Sequence, residues 1–323
     1  MKIPLYPLQF HPIFKERLWG GEKLQSLLHK KPITSNQTGE SWELSTVEGN
    51  VSTIANGAFA GQFITSVLAE FPREILGTIV YERFGNQFPL LFKYLDAKED
   101  LSVQVHPNDI LAKQRHNSFG KTEMWYVLQA DTNARLIAGF KEPIDAPTYL
   151  KHLENKTLVT TLNEIKVQQG DVFLIETGTV HAIGAGMVVA EIQQTSDITY
   201  RLYDFDRVDS NGNQRELHVE LALDAINYNT VSSQKHYEKN SNQSNPVVDC
   251  PYFTTQFIPL AGEIEVQKTG FTFTVYMCVE GSFELELAGQ NYSYSKGDTV
   301  LIPAVLTAFQ LSGNASILEI YIS

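Results

Sequence analysis

Apolar and polar residues follow different patterns before and after Pro89. Before it, the pattern predicts a short amphipathic helix, a half-buried strand, and a longer helix interrupted by Pro72, over Glu22–Leu28, Glu40–Ser45 and Phe63–Leu76. After it, short runs rich in β-branched and aromatic residues predominate, with turn residues between them. The pattern therefore predicts a mainly β protein with a few helices in its N-terminal part.

The strands predicted after Pro89 follow one another closely along the chain. They cover Leu90–Asp96, Leu101–His106, Trp125–Gln129, Ala134–Gly139, Val172–Ile175 and Met187–Gln193. Three helical patterns lie among and after them, over Pro107–His116, over Thr148–Leu162 with a loop interrupting it, and over Leu217–Tyr228.

A polar run rich in Ser, Asn, Gln and Lys covers residues 231–245, a composition typical of a linker. Beyond Pro246 the chain is strand-like, with glycine turn signals at near-even spacing, which favours a β-sandwich or jelly roll. A length of 323 residues is also more than one typical domain. We predict an N-terminal catalytic domain over residues 1–230, a linker over 231–245, and a C-terminal domain over 246–323.

One internal repeat supports this division. The segment Gly170–Ile175 recurs as Gly297–Ile302, and each copy places a Gly-Asp pair before an apolar run. On this register His181 falls opposite Ala308, and no histidine occurs after His236. A Gly-Asp turn before an apolar strand is also common enough to recur by chance. If the repeat is real, the second copy keeps the fold and lacks metal ligands.

The formal net charge of −12 restricts the partners. Nucleic acids and anionic membranes are themselves negative, so we expect neither. A small anionic ligand remains compatible with this charge, because a local cluster of Lys and Arg can oppose the global field.

No run approaches the ~20 apolar residues of a membrane helix, and prolines interrupt the N-terminus before a signal sequence can build, so we expect a cytoplasmic location. Cys250 and Cys278 fit it as core thiols.

Polar residues interrupt one predicted strand where it ends. Gln104 and His106 are two residues apart, so both side chains leave the same face. Glu123 and His181 add a carboxylate and a second imidazole at the ends of other predicted strands. Two imidazoles, a carboxylate and an amide oxygen suit a divalent ion such as zinc. A single buried histidine, however, is more often a satisfied core residue than a ligand.

Four segments of this region resemble the signature blocks of type I mannose-6-phosphate isomerases, in order and spacing: Leu101–Pro107, Gly120–Tyr126, Gly178–Ile183 and Glu191–Asp197. The resemblance extends over essentially the whole chain and is to the shorter bacterial form. It implies two cupin-type jelly-roll domains, with a few helices packed on the N-terminal one. It further implies one zinc ion per chain, in the N-terminal cupin.

The resemblance also implies roles for single residues. It implies that the metal is held by Gln104, His106, Glu123 and His181. It points to Arg201 as a catalytic cation, acting together with Lys121. The substrate contacts it implies are Ser102, Glu191, Asp197 and Arg207. Arg207 stands where longer relatives place a lysine, which preserves the charge and changes the geometry.

Aldose–ketose isomerisation moves a proton from C2 to C1 through an enediol, whose developing oxyanion a metal and Arg201 would stabilise. Lys121, Glu191, Asp197 and a metal-bound water all remain candidates for moving that proton. Arg201 is alternatively a surface cation paired with a nearby aspartate, and Lys121 with Glu123 a solvated charge pair. Trp19 and Trp42 are interpreted as core or rim residues.

The sequence therefore predicts a cytoplasmic isomerase of mannose 6-phosphate and fructose 6-phosphate, a monomer or weak homo-oligomer. A non-catalytic cupin that binds or senses sugar phosphates is the main alternative, and Lys121 and Arg201 beside a full ligand set argue against it. A cupin oxidase with iron is a second alternative. Gln104 as a fourth ligand argues against that one, because iron oxygenases need open positions for oxygen.

Overall fold

The computed structural model describes residues 5–208 and 211–323. Helices are few and short: α1 (Lys23–Ser26), α2 (Ile64–Glu70), α3 (Pro72–Leu76), α4 (Thr78–Phe84), α5 (Asp109–His116), α6 (Ala146–Glu154) and α7 (Val219–Leu223). Two 3₁₀ turns cover Gly57–Phe59 and Leu158–Thr161. The fold is mainly β, which confirms the predicted class.

The strands of the N-terminal half are mostly short. They are β1 (Phe10–His11), β2 (Ile13–Gly21), β3 (Thr38–Leu44), β4 (Thr46–Val47), β5 (Asn50–Val51), β6 (Thr53–Ile54), β7 (Leu90–Ala97), β8 (Val103–Val105), β9 (Glu123–Ala130), β10 (Arg135–Phe140), β11 (Leu162–Lys166), β12 (Val172–Ile175), β13 (His181–Ile183), β14 (Met187–Gln194), β15 (Tyr200–Tyr203) and β16 (Gln234–Lys235). Those that follow are β17 (Asn245–Asp249), β18 (Thr254–Gln267), β19 (Thr274–Leu287), β20 (Gln290–Ser295), β21 (Thr299–Ile302) and β22 (Ala308–Tyr321).

Two sheets form the N-terminal unit. The larger has seven strands in the order β16-β12-β9-β14-β7-β2-β3, with a further β7–β3 pairing, and the smaller has five in the order β11-β10-β13-β8-β15. Apolar side chains from both sheets pack in one cluster that includes Trp125, Phe173, Leu136 and Ile183. The two sheets therefore face each other across a common interior.

Strand β7 shows why these sheets have two different faces. Successive side chains of a strand point to opposite sides. Phe92 and Tyr94 belong to one buried cluster, which lies against the C-terminal unit, whereas Leu95 and Ala97 belong to the interior cluster between the two sheets. Lys93, on the same side as Leu95, is therefore directed toward the interior.

A single sheet of six strands forms the C-terminal unit, with β17-β18-β22-β19-β20 in order and β21 paired to β19. It encloses its own apolar cluster, which contains Phe283 and Tyr294. A second cluster is shared with the N-terminal unit, where the rings of Phe88 and Phe273 lie 4.7 Å apart. The two units therefore bury a common core.

A buried ion pair of the N-terminal unit also contacts the C-terminal unit. Lys30 Nζ lies 2.6 Å from Glu43 Oε2 and donates to the carbonyl of Gly297 at 2.6 Å. Ser41 donates to the other oxygen of Glu43 at 2.6 Å. Both members of the pair are more than nine-tenths buried, so the contact depends on the two units staying together.

The two Gly-Asp segments form the same kind of turn in the structure. Gly170 donates its N–H to Val127 O at 2.8 Å, and Gly297 donates to Cys278 O at 2.8 Å. The following aspartate accepts from the backbone N–H three residues earlier in both copies, at 2.9 Å for Asp171 and 2.8 Å for Asp298. Both glycines have a positive φ, near 90°, which favours glycine. The two turns are therefore alike, and each leads into a buried strand.

One predicted helix is wrong in its length. The pattern over Leu217–Tyr228 predicts a long helix, whereas α7 ends at Leu223. Beyond it the backbone turns toward the loop before β13, and Asn227 donates to Gly178 O at 2.8 Å. This long-range hydrogen bond replaces the helical one that the local pattern favours.

The domain boundaries at 230 and 245 stay predictions. Within the predicted linker, Gln234–Lys235 pairs with Val172–Phe173 at the edge of the seven-stranded sheet, and Asn245 begins β17. Among the helices of the described residues, none combines the length and apolar character needed to cross a membrane.

Candidate active site

Three polar side chains lie side by side across the five-stranded sheet. His181 of β13 is the register partner of Gln104 of β8, and Gln104 is in turn the partner of Arg201 of β15. Register partners on adjacent strands project from the same face. The resemblance grouped these residues from distant segments, and the sheet brings them together in one row.

A second row crosses the seven-stranded sheet. Trp125 pairs with Glu191, Glu191 with Lys93, and Lys93 with Trp42, on strands β9, β14, β7 and β3. Lys93 Nζ lies 2.9 Å from Glu191 Oε2, and Trp125 Nε1 donates to Glu191 Oε1 at 3.2 Å. The two rows occupy facing sheets and enclose the candidate site.

His106, Glu123 and His181 form a buried cluster whose ligand atoms lie within 4.8 Å of one another. The Nδ1 atoms of His106 and His181 lie 2.9 Å and 2.8 Å from the carbonyls of Ile198 and Thr179. A carbonyl only accepts, so each Nδ1 carries the proton and each Nε2 presents its lone pair. The Nε2 atoms lie 3.5 Å and 3.4 Å from the carboxylate of Glu123.

This cluster fits a divalent cation. Glu123 Oε1 and His181 Nε2 are buried atoms with no hydrogen-bond partner among residues 5–208 and 211–323. Unsatisfied buried polar atoms are costly, and a bound ion satisfies both at once. Carboxylate oxygen and imidazole nitrogen are donors that zinc accepts. Gln104, beside His181 in the sheet, lies in position to add an amide oxygen.

Lys121 reaches the same cluster. Its ammonium donates to His106 Nε2 at 3.0 Å and to the carboxylate of Glu123. Burial disfavours the charged ammonium, but Glu123 and Glu191 outweigh burial and raise the pKa of Lys121 above its usual value. Both Lys121 and Glu123 are buried, so the alternative of a solvated charge pair is wrong.

Burial and the neighbouring charges together lower the pKa values of all three residues in the cluster. Burial lowers the pKa of His106 to about 4, and the ammonium of Lys121 adds to this effect. Burial also lowers the pKa of His181, although Glu123 opposes it. For Glu123, burial alone favours the neutral acid, but the ammonium of Lys121 outweighs burial and holds the pKa well below the usual range. The cluster therefore holds neutral imidazoles around an ionised carboxylate, the protonation states that metal ligands need.

A cavity of about 520 Å³ opens onto this region. Six of the residues predicted for the site line it: Ser102, Gln104, Lys121, Glu191, Asp197 and Arg201. Ser102 and Glu191 are buried, whereas Asp197 is exposed. Lys121 connects this wall to the metal-ligand cluster through His106.

Arg201 has a different environment from the surface pairing considered above. Its Nη1 donates to the carbonyl of Glu216 at 2.8 Å, and its Nε is buried with no hydrogen-bond partner in the described part of the chain. Burial and the neighbouring guanidinium of Arg215 lower the pKa of Arg201. The carboxylate of Asp204, the expected partner, instead binds Arg207 and Arg215.

Arg207 is not among the residues that line the cavity. Its Nη2 donates to Asp204 Oδ1 at 2.6 Å and its Nη1 to the carbonyl of Asp100 at 2.5 Å. These bonds direct its guanidinium along the loop after β15. Arg207 can therefore affect substrate binding indirectly, by its hydrogen bond to Asp204.

The cavity also contains charged residues that the sequence patterns did not identify: Glu16, Arg17, Glu40, Lys93 and Arg215. Glu40 accepts from Arg17 Nε at 2.7 Å and from Trp42 Nε1 at 2.5 Å. A lysine within the apolar run Leu90–Leu95 is a signal that could have located Lys93. Trp19 and Trp42 are buried residues of the cavity wall, which agrees with the core-or-rim interpretation.

Family models match both units of the chain. Residues 7–132 match the model described as "Phosphomannose isomerase type I, catalytic domain". Residues 243–322 match "Mannose-6-phosphate isomerase, cupin domain".

Two curated relatives match over nearly the whole length. The chain is 37% identical to "Mannose-6-phosphate isomerase ManA" of Bacillus subtilis, with 96% of both chains covered. It is 32% identical to "Mannose-6-phosphate isomerase" of Streptococcus mutans, with 97% of both covered.

Solved structures agree with the fold. The crystal structure of the mannose 6-phosphate isomerase from Bacillus subtilis superposes with a TM-score of 0.90 at 33% identity, covering 98% of this chain and 100% of that one. A putative mannosephosphate isomerase from Archaeoglobus fulgidus superposes with a TM-score of 0.80 at 24% identity, covering 100% and 99%, and supports the fold alone.

Proposed function

The chain belongs to the type I phosphomannose isomerase family, and we propose that it interconverts mannose 6-phosphate and fructose 6-phosphate in the cavity lined by Lys121, Glu191 and Arg201. The observation that carries this proposal is the buried cluster of His106, Glu123 and His181 beside that cavity. A protein that only bound sugar phosphates would have no need for a metal-ligand set next to buried, charged groups. The relatives' names likewise favour an isomerase over a binding module.

The cluster is proposed to hold one divalent ion, zinc, through His106, Glu123, His181 and Gln104. Two of its atoms lack a protein partner, as described above, and the carboxylate is held ionised by its surroundings. When bound, the ion supplies positive charge to the oxygen that becomes negative during isomerisation.

The reaction itself is a proton transfer. The C2–H bond breaks and a C1–H bond forms, while the hydroxyl proton on O2 is lost and O1 gains one, so that mannose and fructose phosphates share an enediol. Arg201 is proposed to stabilise the developing charge on the enediol oxygens, because its Nε is buried and unpaired in the described structure. Positive charge fixed in a buried site before the reaction needs no reorganisation during it.

Lys121 is proposed to act beside Arg201 in the same site. Its ammonium hydrogen-bonds His106 and Glu123 and lies 4.0 Å from Glu191 Oε1. Lys121, Glu191 and Asp197 stay the candidates for carrying the proton between C2 and C1, with a metal-bound water as the fourth. Metal ligation would make the histidines poorer bases.

Ser102, Glu191 and Asp197 are proposed to contact the sugar, because all three line the cavity. Arg207 is proposed to contribute through Asp204, the carboxylate that it shares with Arg215. A cytoplasmic location and a monomeric or weakly associated state complete the proposal.

A coupled assay that follows fructose 6-phosphate formation tests the function and its metal dependence together. We expect the purified protein to isomerise mannose 6-phosphate, to lose this activity on chelation, and to regain it with added zinc. The control is unchanged folding by circular dichroism before and after chelation. Full turnover in protein shown by elemental analysis to be free of metal would contradict the metal assignment.

A further inference from the structure

Three arginines surround one carboxylate at the edge of the five-stranded sheet. Asp204 follows the edge strand β15 and is buried. Arg207 Nη2 lies 2.6 Å from its Oδ1, and Arg215 donates from both Nε and Nη2, at 2.7 Å to Oδ2 and at 2.5 Å to Oδ1. Arg201 is the third guanidinium of the group, and its Nη1 donates to the carbonyl of Glu216 rather than to a carboxylate. Three positive charges around one negative charge leave a local excess of about two.

The other cations of the cavity have their own carboxylates. Lys93 pairs with Glu191 at 2.9 Å, and Arg17 pairs with Glu40 at 2.7 Å. Lys121 pairs with Glu123. Glu216, next to Arg215 in sequence, is 82% exposed, and Asp206, next to Arg207, is exposed and pairs with Lys156, so both are largely screened by solvent. Glu16 and Asp197, the remaining acids of the cavity lining, are also exposed. The buried carboxylates of the cavity therefore match its other cations one to one, and the arginine group has a single one to share.

Only some of the arginine group faces the cavity. Arg201 and Arg215 line it, whereas Arg207 is directed toward the carbonyl of Asp100. The two lining arginines also differ in position. Arg201 is the register neighbour of Gln104, one strand from the metal-ligand cluster. Arg215 lies on the segment beyond Arg201, next to Glu216, whose carbonyl accepts from Arg201.

This order matches the two ends of the substrate. The reacting carbons are C1 and C2, and the phosphate is at C6, the opposite end of the chain. His181 and Arg201 are separated by two strand spacings, roughly 10 Å. With C1 and C2 at the ligand cluster and Arg201, the phosphate extends toward the outer part of the arginine group.

We propose that Arg215 binds the phosphate of the substrate, and that Arg207 positions Arg215 by sharing the carboxylate of Asp204. The proposal rests on the proposed function and adds to it a residue that determines specificity for phosphorylated sugars. The bonds to Asp204 use Nε and Nη2 of Arg215 and fix the plane of its guanidinium. Arginine has five N–H donors, so Nη1 is available for charge-assisted bonds to phosphate oxygens.

Steady-state kinetics on the full-length metal-loaded enzyme test this assignment. Arg215→Ala should raise KM for mannose 6-phosphate about 10- to 100-fold, the loss expected for a charge-assisted contact, with kcat within about threefold. Inorganic phosphate, as a competitive inhibitor, should lose affinity by a similar factor. Turnover of unphosphorylated mannose should stay at the wild-type rate, because mannose has no group for Arg215 to bind.

Three further variants separate the possible roles. Arg215→Lys keeps a positive charge without the planar contact to Asp204, and should give an intermediate KM. Arg207→Ala should raise KM less than Arg215→Ala. Arg115→Ala removes an arginine–aspartate pair of similar kind outside the cavity, and should change neither KM nor phosphate inhibition.

The proposal is overturned if Arg207→Ala raises KM as much as Arg215→Ala or more, since Arg207 is then the phosphate ligand. It is also overturned if Arg215→Ala lowers kcat at unchanged KM, or slows mannose and mannose 6-phosphate equally. If Arg215→Ala fails to fold, the Arg215→Lys variant decides by the same KM criterion. Should wild-type protein not isomerise mannose 6-phosphate, the proposed function fails, and calorimetric binding of phosphate to wild type and Arg215→Lys still tests Arg215.

Discussion

Lys121 and Glu123 carry full charges in a region from which water is almost excluded. A buried ion pair gains little stability over apolar residues of the same size, because both charges lose their hydration. The pair belongs to a larger charged network, because Lys121 also lies close to Glu191, and Glu191 forms an ion pair with Lys93. Such a network with shifted pKa values is typical of a functional site rather than of a structural core.

Arg201 and His181 are both register partners of Gln104, yet they have different proposed roles. Single substitutions distinguish these two roles. Arg201→Ala should lower kcat at least about 100-fold, the loss typical of a fixed charge at the reacting oxygen, with metal content unchanged. His181→Ala should lower both kcat and metal content. Turnover and elemental analysis on the same protein samples measure the two effects.

A folded wild-type-like spectrum is the control for both variants. If Arg201→Ala also lost its metal or its fold, Arg201 would be a structural residue of the sheet and its catalytic role would be withdrawn.

At the level of strands, alternation along the sequence located several elements correctly. The strands Leu90–Asp96, Val172–Ile175 and Met187–Gln193 lie within about a residue of their predicted bounds, and the helix predicted over Pro107–His116 covers Asp109–His116. Which strands are neighbours is decided by long-range pairing, and residue spacing contains no direct record of it. The grouping of Gln104 with His181 as metal ligands therefore depended on a family resemblance, and the position of Lys93 in the cavity was missed.

The same limit explains why the sequence patterns missed Arg215 and predicted too long a helix α7. Arg215 reaches the cavity because its segment folds back beside β15, where Arg201 N–H donates to His218 Nδ1 at 3.1 Å. Helix α7 ends early because Asn227 binds a distant loop. Local sequence patterns describe neither contact, since both join residues that are far apart in the chain or lie in irregular segments.

Strand β3 places the charged residue Glu40 in the wall of the cavity. The ionisation of Glu40 should contribute to the pH dependence of the unfolding free energy. Burial raises the pKa of Glu40, but Lys93, Arg17 and Trp42 outweigh burial and hold it below the ordinary value. A lowered folded-state pKa means that the unfolded chain binds more protons in acid. The stabilisation by Glu40 is therefore complete above the unfolded pKa, near 4.5, and is lost as pH falls through the folded pKa.

Glu40→Gln should accordingly be less stable than wild type at pH 7 and should lose less of its unfolding free energy between pH 5 and pH 3. Urea unfolding at a series of pH values measures this difference. Glu48→Gln, which removes an exposed carboxylate, is the matched control and should follow the wild-type pH dependence. Parallel curves for Glu40→Gln and wild type would show that Glu40 gains no stabilisation from its partners.

At the level of the whole molecule, the two units share a core, and the buried Lys30 of one unit donates to the carbonyl of Gly297 in the other. Leu8 and Leu301 exchange backbone hydrogen bonds of 2.8 Å and 2.9 Å across the contact, and Phe88 packs on Phe273. A contact of this kind makes each unit part of the other's interior. We therefore expect the chain to unfold as one cooperative unit rather than as two domains.

The tryptophans make this expectation testable. All three, Trp19, Trp42 and Trp125, lie in the N-terminal unit, so their fluorescence reports that unit alone, while far-ultraviolet circular dichroism reports both. The two unfolding curves should coincide. Phe283→Ala, in the interior of the C-terminal unit, should cost about 3–5 kcal/mol and shift both curves equally. A tryptophan transition unmoved by Phe283→Ala would show that the units unfold independently.

The Gly-Asp turn occurs in both units and has a different role in each. In the first copy the turn leads toward His181, and in the second it leads toward Ala308 and places the carbonyl of Gly297 against Lys30. Because this carbonyl belongs to the backbone, a side-chain substitution at the turn cannot remove it. The docking of the two units therefore depends here on the path of the chain, and we expect it to tolerate sequence change that the metal-ligand residues would not.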